Sequence, residues 1–176
     1  MEAEMTDDRT TKVLAAVDNT AAATPVLAVA RRVADLYGVE VEAIHIREDG
    51  TDSVERAAEA LSVPLVVLPD GGVARLVDAA AEPEVAAIVV GARGTAHGRR
   101  PAGHVALSLI VAVPKPVIVV PPLEPRTGPL ERVLVPLDGT RLASETLART
   151  IELACHSKLD VVVVHVAEGR ALAAFG

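Results

Sequence analysis

Aromatic residues are almost absent from this chain, whose 176 residues include one Tyr, one Phe and no Trp. The core must therefore be built from Val, Leu, Ile and Ala, the composition of helices laid on a buried parallel sheet. The same shortage excludes single-stranded nucleic acid, which needs aromatic platforms for its bases. Basic charge is also short: 17 Lys and Arg stand against 24 Asp and Glu, a net charge of -7. A duplex-binding face needs a large positive surface, so nucleic acid is not an expected partner. Cysteine occurs once, at Cys155, which leaves no intramolecular disulfide and no cysteine metal cluster. On an apolar helical face it reads as a small core residue. The stretch 1–11 is polar and acidic, without the apolar centre of a signal peptide, and no apolar run reaches transmembrane length. The expectation is a cytoplasmic chain that engages no membrane.

Apolar residues, 51% of the total, fall into alternating short and periodic runs. Lys12 to Val17 reads as a buried strand ending at Asp18-Asn19-Thr20. Thr24 as N-cap and Pro25 as first helical residue would open a helix that keeps Val26, Leu27, Ala30, Val33 and Ala34 on one face and stops at Gly38. Val39 to Ile46 is a second strand. Asp52 with Glu55 suggests a capping box for a short helix to Leu61. Val63 to Leu68 is a third strand, in which Pro64 is limited to an early or edge position. After Gly71-Gly72, the spacing of Val73, Leu76, Val77 and Ala80 predicts a helix ended by Pro83. Ala87 to Val90 is strand four, Val105 to Val113 an apolar helix closed by Pro114, and Val117 to Val120 strand five. Such alternation with short connections is an α/β pattern: a Rossmann-like, doubly wound parallel five-stranded sheet of order 3-2-1-4-5.

The segment 121–131 holds four prolines and one glycine and reads as a stiff linker. Beyond it the chain repeats itself. Lys12 to Ile46 aligns without a gap on Arg132 to Val166, with ten identical residues in thirty-five, among them Asp18 with Asp138 and His45 with His165. Domain boundaries follow: a complete domain over 1–120, the linker 121–131, and an incomplete second βαβ repeat over 132–176. A piece that small cannot cover both sheet faces unaided.

Chemistry concentrates in Gly91-Ala92-Arg93-Gly94-Thr95-Ala96-His97-Gly98-Arg99-Arg100-Pro101-Ala102-Gly103-His104, between strand four and the apolar helix. Glycines let backbone N–H groups approach a ligand, and a helix amino end carries partial positive charge, so such a turn suits phosphate. From Gly91 to Leu123 there is no Asp or Glu, while Arg93, Arg99 and Arg100 share the loop. In a sheet of this order, ligands bind where the strand order reverses, between strands one and four. Those strands end at Asp18 and Gly91, so a carboxylate and a cationic glycine turn, far apart in sequence, are expected at one crevice.

These pieces in this order resemble the universal stress protein family. The resemblance rests on Val13-Leu14-Ala15-Ala16-Val17-Asp18, Ala43-Ile44-His45-Ile46, Ile88 to Gly94, Gly103-His104-Val105-Ala106 and Pro114 to Val120, with Arg132 to Val166 similar to the opening of a second such domain. It implies a cleft for ATP or AMP. Asp18 would contact the ribose or adenine end and the Ile46 backbone the adenine edge, beside Ala16. Val90, Gly91 and Gly94 would line the pocket, and Gly103, His104 and Val105 would hold phosphates. Arg93 joins this set on charge alone. Nucleotide-binding members follow G-2x-G-9x-G-(Ser/Thr); here eight residues separate Gly94 from Gly103, His104 replaces the hydroxyl, and Ala16 stands where proline is frequent. The resemblance also implies a homodimer through strand 117–120.

His45 and His165 are single histidines in apolar strands and read as structural. No Lys-Ser/Thr follows the glycines, so magnesium has no obvious ligand. Without a positioned base or nucleophile, an enzyme is not expected beyond slow ATP hydrolysis. The expected function is nucleotide-dependent association in a stress response. The alternative is a family member that binds no nucleotide and acts only by dimerisation or partner binding.

Overall fold

The computed structural model describes residues 11–47, 51–69, 71–92, 103–122, 128, 130–137, 140, 141, 147, 151 and 159–165. The chain divides into two compact units, 1–127 and 128–176. In the first, β1 (Lys12–Ala16), β2 (Glu40–Ile46), β3 (Leu65–Leu68), β4 (Val85–Gly91) and β5 (Val117–Val120) alternate with α1 (Ala23–Tyr37), α2 (Asp52–Ala60), α3 (Gly72–Ala81) and α4 (His104–Ala112). The strands form one sheet of order β3-β2-β1-β4-β5, every neighbouring pair parallel. This is the α/β architecture expected from the strand-helix alternation.

Side chains on successive strand residues point to opposite faces, and the two cores separate accordingly. Val13, Ala15, Ala43, Ala87 and Val89 face α1 and α2, meeting Leu27, Ala30, Val54 and Ala58. Leu14, Ile44, Ile88 and Val90 face α3 and α4, meeting Leu76, Ala80, Ala106 and Leu109. Burial on both faces explains why β4 reads as a continuous apolar run rather than an alternating one.

Several local expectations need correction. The first helix starts at Ala23, not after a Thr24 cap; its N-cap is Ala22, without a side-chain cap bond. Thr20 explains the shift, because its hydroxyl accepts the Ala22 N–H at 3.1 Å. Pro25 is then the third helical residue, still within the turn whose N–H groups have no intrahelical partner. The N-cap of α2 is Thr51 rather than Asp52, and the Thr51 hydroxyl donates to Glu55 Oε1 at 2.7 Å. β3 begins at Leu65 instead of Val63, since Pro64 has no N–H to give; its carbonyl still accepts from Ala43 N at 2.7 Å. β4 runs from Val85 to Gly91, longer than Ala87 to Val90, because the Glu84 carbonyl accepts from Thr11 and Lys12 and extends the pairing. α4 starts at His104 and ends at Ala112, one residue earlier at each end than expected.

α1 stops at Gly38 as expected: its φ of 66° is left-handed, and its N–H donates to the Ala34 carbonyl. A Cβ there would meet nothing within 4 Å, so Gly38→Ala tests backbone conformation alone. It is expected to cost about 1 kcal/mol, read as a lower denaturant midpoint with an unchanged slope.

In the second unit, β6 (Arg132–Leu137) and β7 (Asp160–His165) form a two-stranded parallel sheet. Its register, Arg132 opposite Asp160, reproduces that of Lys12 opposite Glu40 in the first unit. Arg132 and Asp160 are also an exposed ion pair at 3.1 Å. Leu134, Val162, Val163 and Val164 stay exposed. Cys155, the segment 121–131 in large part, and most of the helix expected between β6 and β7 lie outside the described residues. Among the described residues, no helix is long and apolar enough to cross a membrane.

Candidate functional site

The chain turns out of the sheet at the carboxyl ends of β1 and β4 in opposite directions, to α1 on one face and α4 on the other. That divergence opens a cavity of about 130 Å³. Its floor is made by Ala16, Val17 and Asp18 at the end of β1, His45 and Ile46 at the end of β2, and Val90 and Gly91 at the end of β4. Ala22 and Val26 close one side, Leu76 and Val105 the other.

Of the residues singled out in the sequence, Ala16, Asp18, Ile46, Val90, Gly91 and Val105 meet on this one cavity. Gly103 and His104 are not part of its lining. Gly103 holds the rim instead: its N–H donates to the Ala92 carbonyl at 2.6 Å, pinning the start of α4 to the end of β4. His104 is the first residue of α4 and is exposed. Its Nδ1 shares a hydrogen bond of 3.0 Å with the Ser108 hydroxyl, one turn along the same helix. Arg93, Gly94, Arg99 and Arg100 lie outside the described residues.

Sequence reading missed Val17, Ala22, Val26, Leu76 and His45 as lining residues, His45 having been read only as structural. Val26 and Leu76 carry only a core signal, since a helical residue that faces a sheet looks the same whether it touches a side chain or a hole. Val17 and Ala22 flank the Asp18 turn, and that adjacency was the one available hint.

The Asp18 carboxylate is held in place. Thr20 donates its hydroxyl to Asp18 Oδ1 at 2.5 Å. Val17, the preceding residue, is fixed twice: its N–H donates to the Ile44 carbonyl at 3.0 Å, and its carbonyl accepts His45 Nδ1–H at 2.9 Å. A carbonyl can only accept, so the His45 tautomer carries its proton on Nδ1. Nε2 is buried and has no partner among the described residues. The following residue, Asn19, accepts from the N–H groups of Ser53 and Val54 at 2.9 and 3.2 Å. At the other end of β1, Lys12 Nζ pairs with Glu42 at 2.9 Å and Glu82 at 3.5 Å. Burial there lowers the Lys12 pKa, but the two carboxylates outweigh it and leave the ammonium above its ordinary value. The amino edge of the sheet thus neutralises its own cation, while the carboxyl edge presents Asp18 beside a cavity.

Among the described residues, no three His, Cys, Asp or Glu side chains stand together as a metal site. What the arrangement offers is a small, mostly apolar slot with one fixed carboxylate and a helix amino end beside it. That suits a flat heterocycle with polar substituents at its edge.

No protein-family model matches the chain, and no curated protein does. Solved structures do. A universal stress protein from Archaeoglobus fulgidus is 26% identical with a TM-score of 0.51, covering 62% of this chain and 97% of its own. A universal stress protein solved in complex with cAMP, at 16% identity and a TM-score of 0.51, covers 64% of this chain and 97% of its own. A putative universal stress protein from Pseudomonas aeruginosa UCBPP-PA14 shares the fold over 90% of this chain and 62% of its own, at 13% identity and a TM-score of 0.63. The strand order and the archaeal likeness agree: this chain carries a domain with the fold of the universal stress proteins.

Proposed function

We propose that the cleft binds an adenine nucleotide, ATP or AMP, and that occupancy governs association of this protein in a cytoplasmic stress response. One observation carries the reading: Asp18 and Gly91, far apart in sequence, lie on one cavity with Ile46 and Val105. The cavity, of about 130 Å³, takes the base. The base lies in the slot against the Ile46 backbone. Asp18, oriented by Thr20, accepts from the ribose hydroxyls. The phosphates extend over Gly103 and the amino end of α4, towards the glycine-rich segment with Arg93 and Gly94. A neighbour of the same fold was solved in complex with cAMP, which supports an adenine ligand as a candidate here.

The second unit is read as the opening βαβ of another domain of the same family, on the shared register and the repeat. A homodimer through β5 follows from its place at the end of the strand order. A second reading, association without nucleotide, is favoured by two observations. The His104 ring, standing where a hydroxyl is expected, is engaged with Ser108. Leu107, Ile110 and Val111 of α4 are exposed, and α4 packs on β5, so an apolar surface adjoins the edge strand.

Calorimetric titration with ATP separates the two. The nucleotide reading expects saturable heat, and an affinity lowered about 10- to 100-fold by Asp18→Ala, the loss of one charge-assisted hydrogen bond. No heat at millimolar ATP, with concentration-dependent dimerisation intact, selects the second reading.

A further inference from the structure

We propose that Asn19 is a positioning residue that couples the cleft to the first turn of α2, so that the state of the Asp18 loop is reported on a distant helix. The coupling to a ligand rests on the nucleotide reading above; the mechanical link does not.

A helix leaves its first N–H groups without intrahelical partners, and a side chain at the N-cap usually accepts one of them. Thr51 occupies the N-cap of α2 but makes no cap bond, because its hydroxyl is directed to Glu55. Asn19 takes over from 34 residues upstream. Its single side-chain oxygen accepts from both Ser53 and Val54, the second and third residues of the helix. Val54 is fully buried in the core, so this turn is the anchored part of α2.

Asn19 is also the middle of a three-residue set. On one side is Asp18, on the cavity wall. On the other is Thr20, which donates to Asp18 and accepts from Ala22 at the start of α1. A ligand that draws on the Asp18 carboxylate therefore acts on a segment whose neighbour is the cap of another helix. The outward side of α2 carries Asp52, Glu55, Arg56 and Glu59, all exposed. Tightening or loosening the first turn changes how that charged face is presented to a partner.

The test is amide exchange followed by NMR in the full chain, for wild type, Asn19→Ala, Asn19→Asp and Thr20→Val, with and without ATP. Without ligand, Asn19→Ala is expected to speed exchange at Ser53 and Val54 about five- to tenfold, the range of a lost cap. Asn19→Asp keeps an acceptor and stays near wild type. Thr20→Val, which touches neither amide, is expected to speed both as well; if they do not change, the coupling is overturned whatever the cleft binds. With ATP, exchange at both amides slows in wild type and in Asn19→Asp, and Asn19→Ala binds several-fold more weakly. Equal affinity in Asn19→Ala and wild type would overturn the positioning role. Absence of ATP binding in wild type would refute the nucleotide reading and leave the Thr20→Val result to decide the link.

Discussion

Ile88→Ala lowers the stability of the first unit by about 3–4 kcal/mol, the range for deleting a branched side chain from a core that cannot collapse around the hole. Ile88 is fully buried in β4, with β1 on one side and β5 on the other. Its partners come from the sheet and both helices of one face. The scarcity of aromatics sharpens the effect. No large ring stands among the buried neighbours on this face, which are Leu, Ile, Val and Ala. Thermal denaturation followed by circular dichroism is expected to show the midpoint fall by about 10 °C. A drop within 2 °C of wild type, a bound set by about half a kcal/mol, would mean that β4 is not buried between β1 and β5.

Val105→Trp acts on the site instead of the core. Val105 lines the cavity from the first turn of α4, yet is 38% exposed. The wild-type side chain contributes little to stability, and the cost of replacing it is about 1 kcal/mol or less. An indole directed inward occupies space in the cavity between Ile46 and Gly91. Burying the flat face of a base removes apolar area worth several kcal/mol at ~25 cal/mol per Å². Blocking that burial is therefore expected to weaken ATP at least about a hundredfold in a calorimetric titration. Retained affinity in a variant that melts like wild type would place the base elsewhere.

Much of the fold was legible in the sequence because a parallel sheet covered on both faces writes itself as short β-branched runs between amphipathic helices. Val13 to Ala16 and Ala87 to Val90 need no partner information to be recognised as buried strands, though the start of β4 at Val85 does. The place of strand three was suggested by Pro64, which limits a strand to an early or edge position; the structure sets Pro64 just before β3. Helix starts were less so. Thr24-Pro25 has the right composition for a helix opening, but the decisive contact is the Thr20 hydroxyl on Ala22, which depends on the turn that follows β1. The cap of α2 was beyond local reading altogether, since Asn19 reaches it across 34 residues.

The site divides the same way. Asp18, Ile46 and Gly91 end strands, so strand assignment and a parallel sheet suffice to bring them together. His104 shows where that logic stops. A motif position implies a place in the chain, but the ring direction is decided by Ser108 one turn away. Val26 and Leu76 show the converse, residues with an ordinary core pattern whose outer atoms border the cleft.

The central claim is that the divergence of β1 and β4 makes room for an adenosine phosphate. A crystal structure of the full chain grown with ATP tests it most directly. The account predicts difference density for a purine between Asp18, Ile46 and Gly91, continuing to phosphates over Gly103. A cleft filled by the His104 imidazole, or by the shortened glycine-rich segment folded back on Gly91, would contradict it.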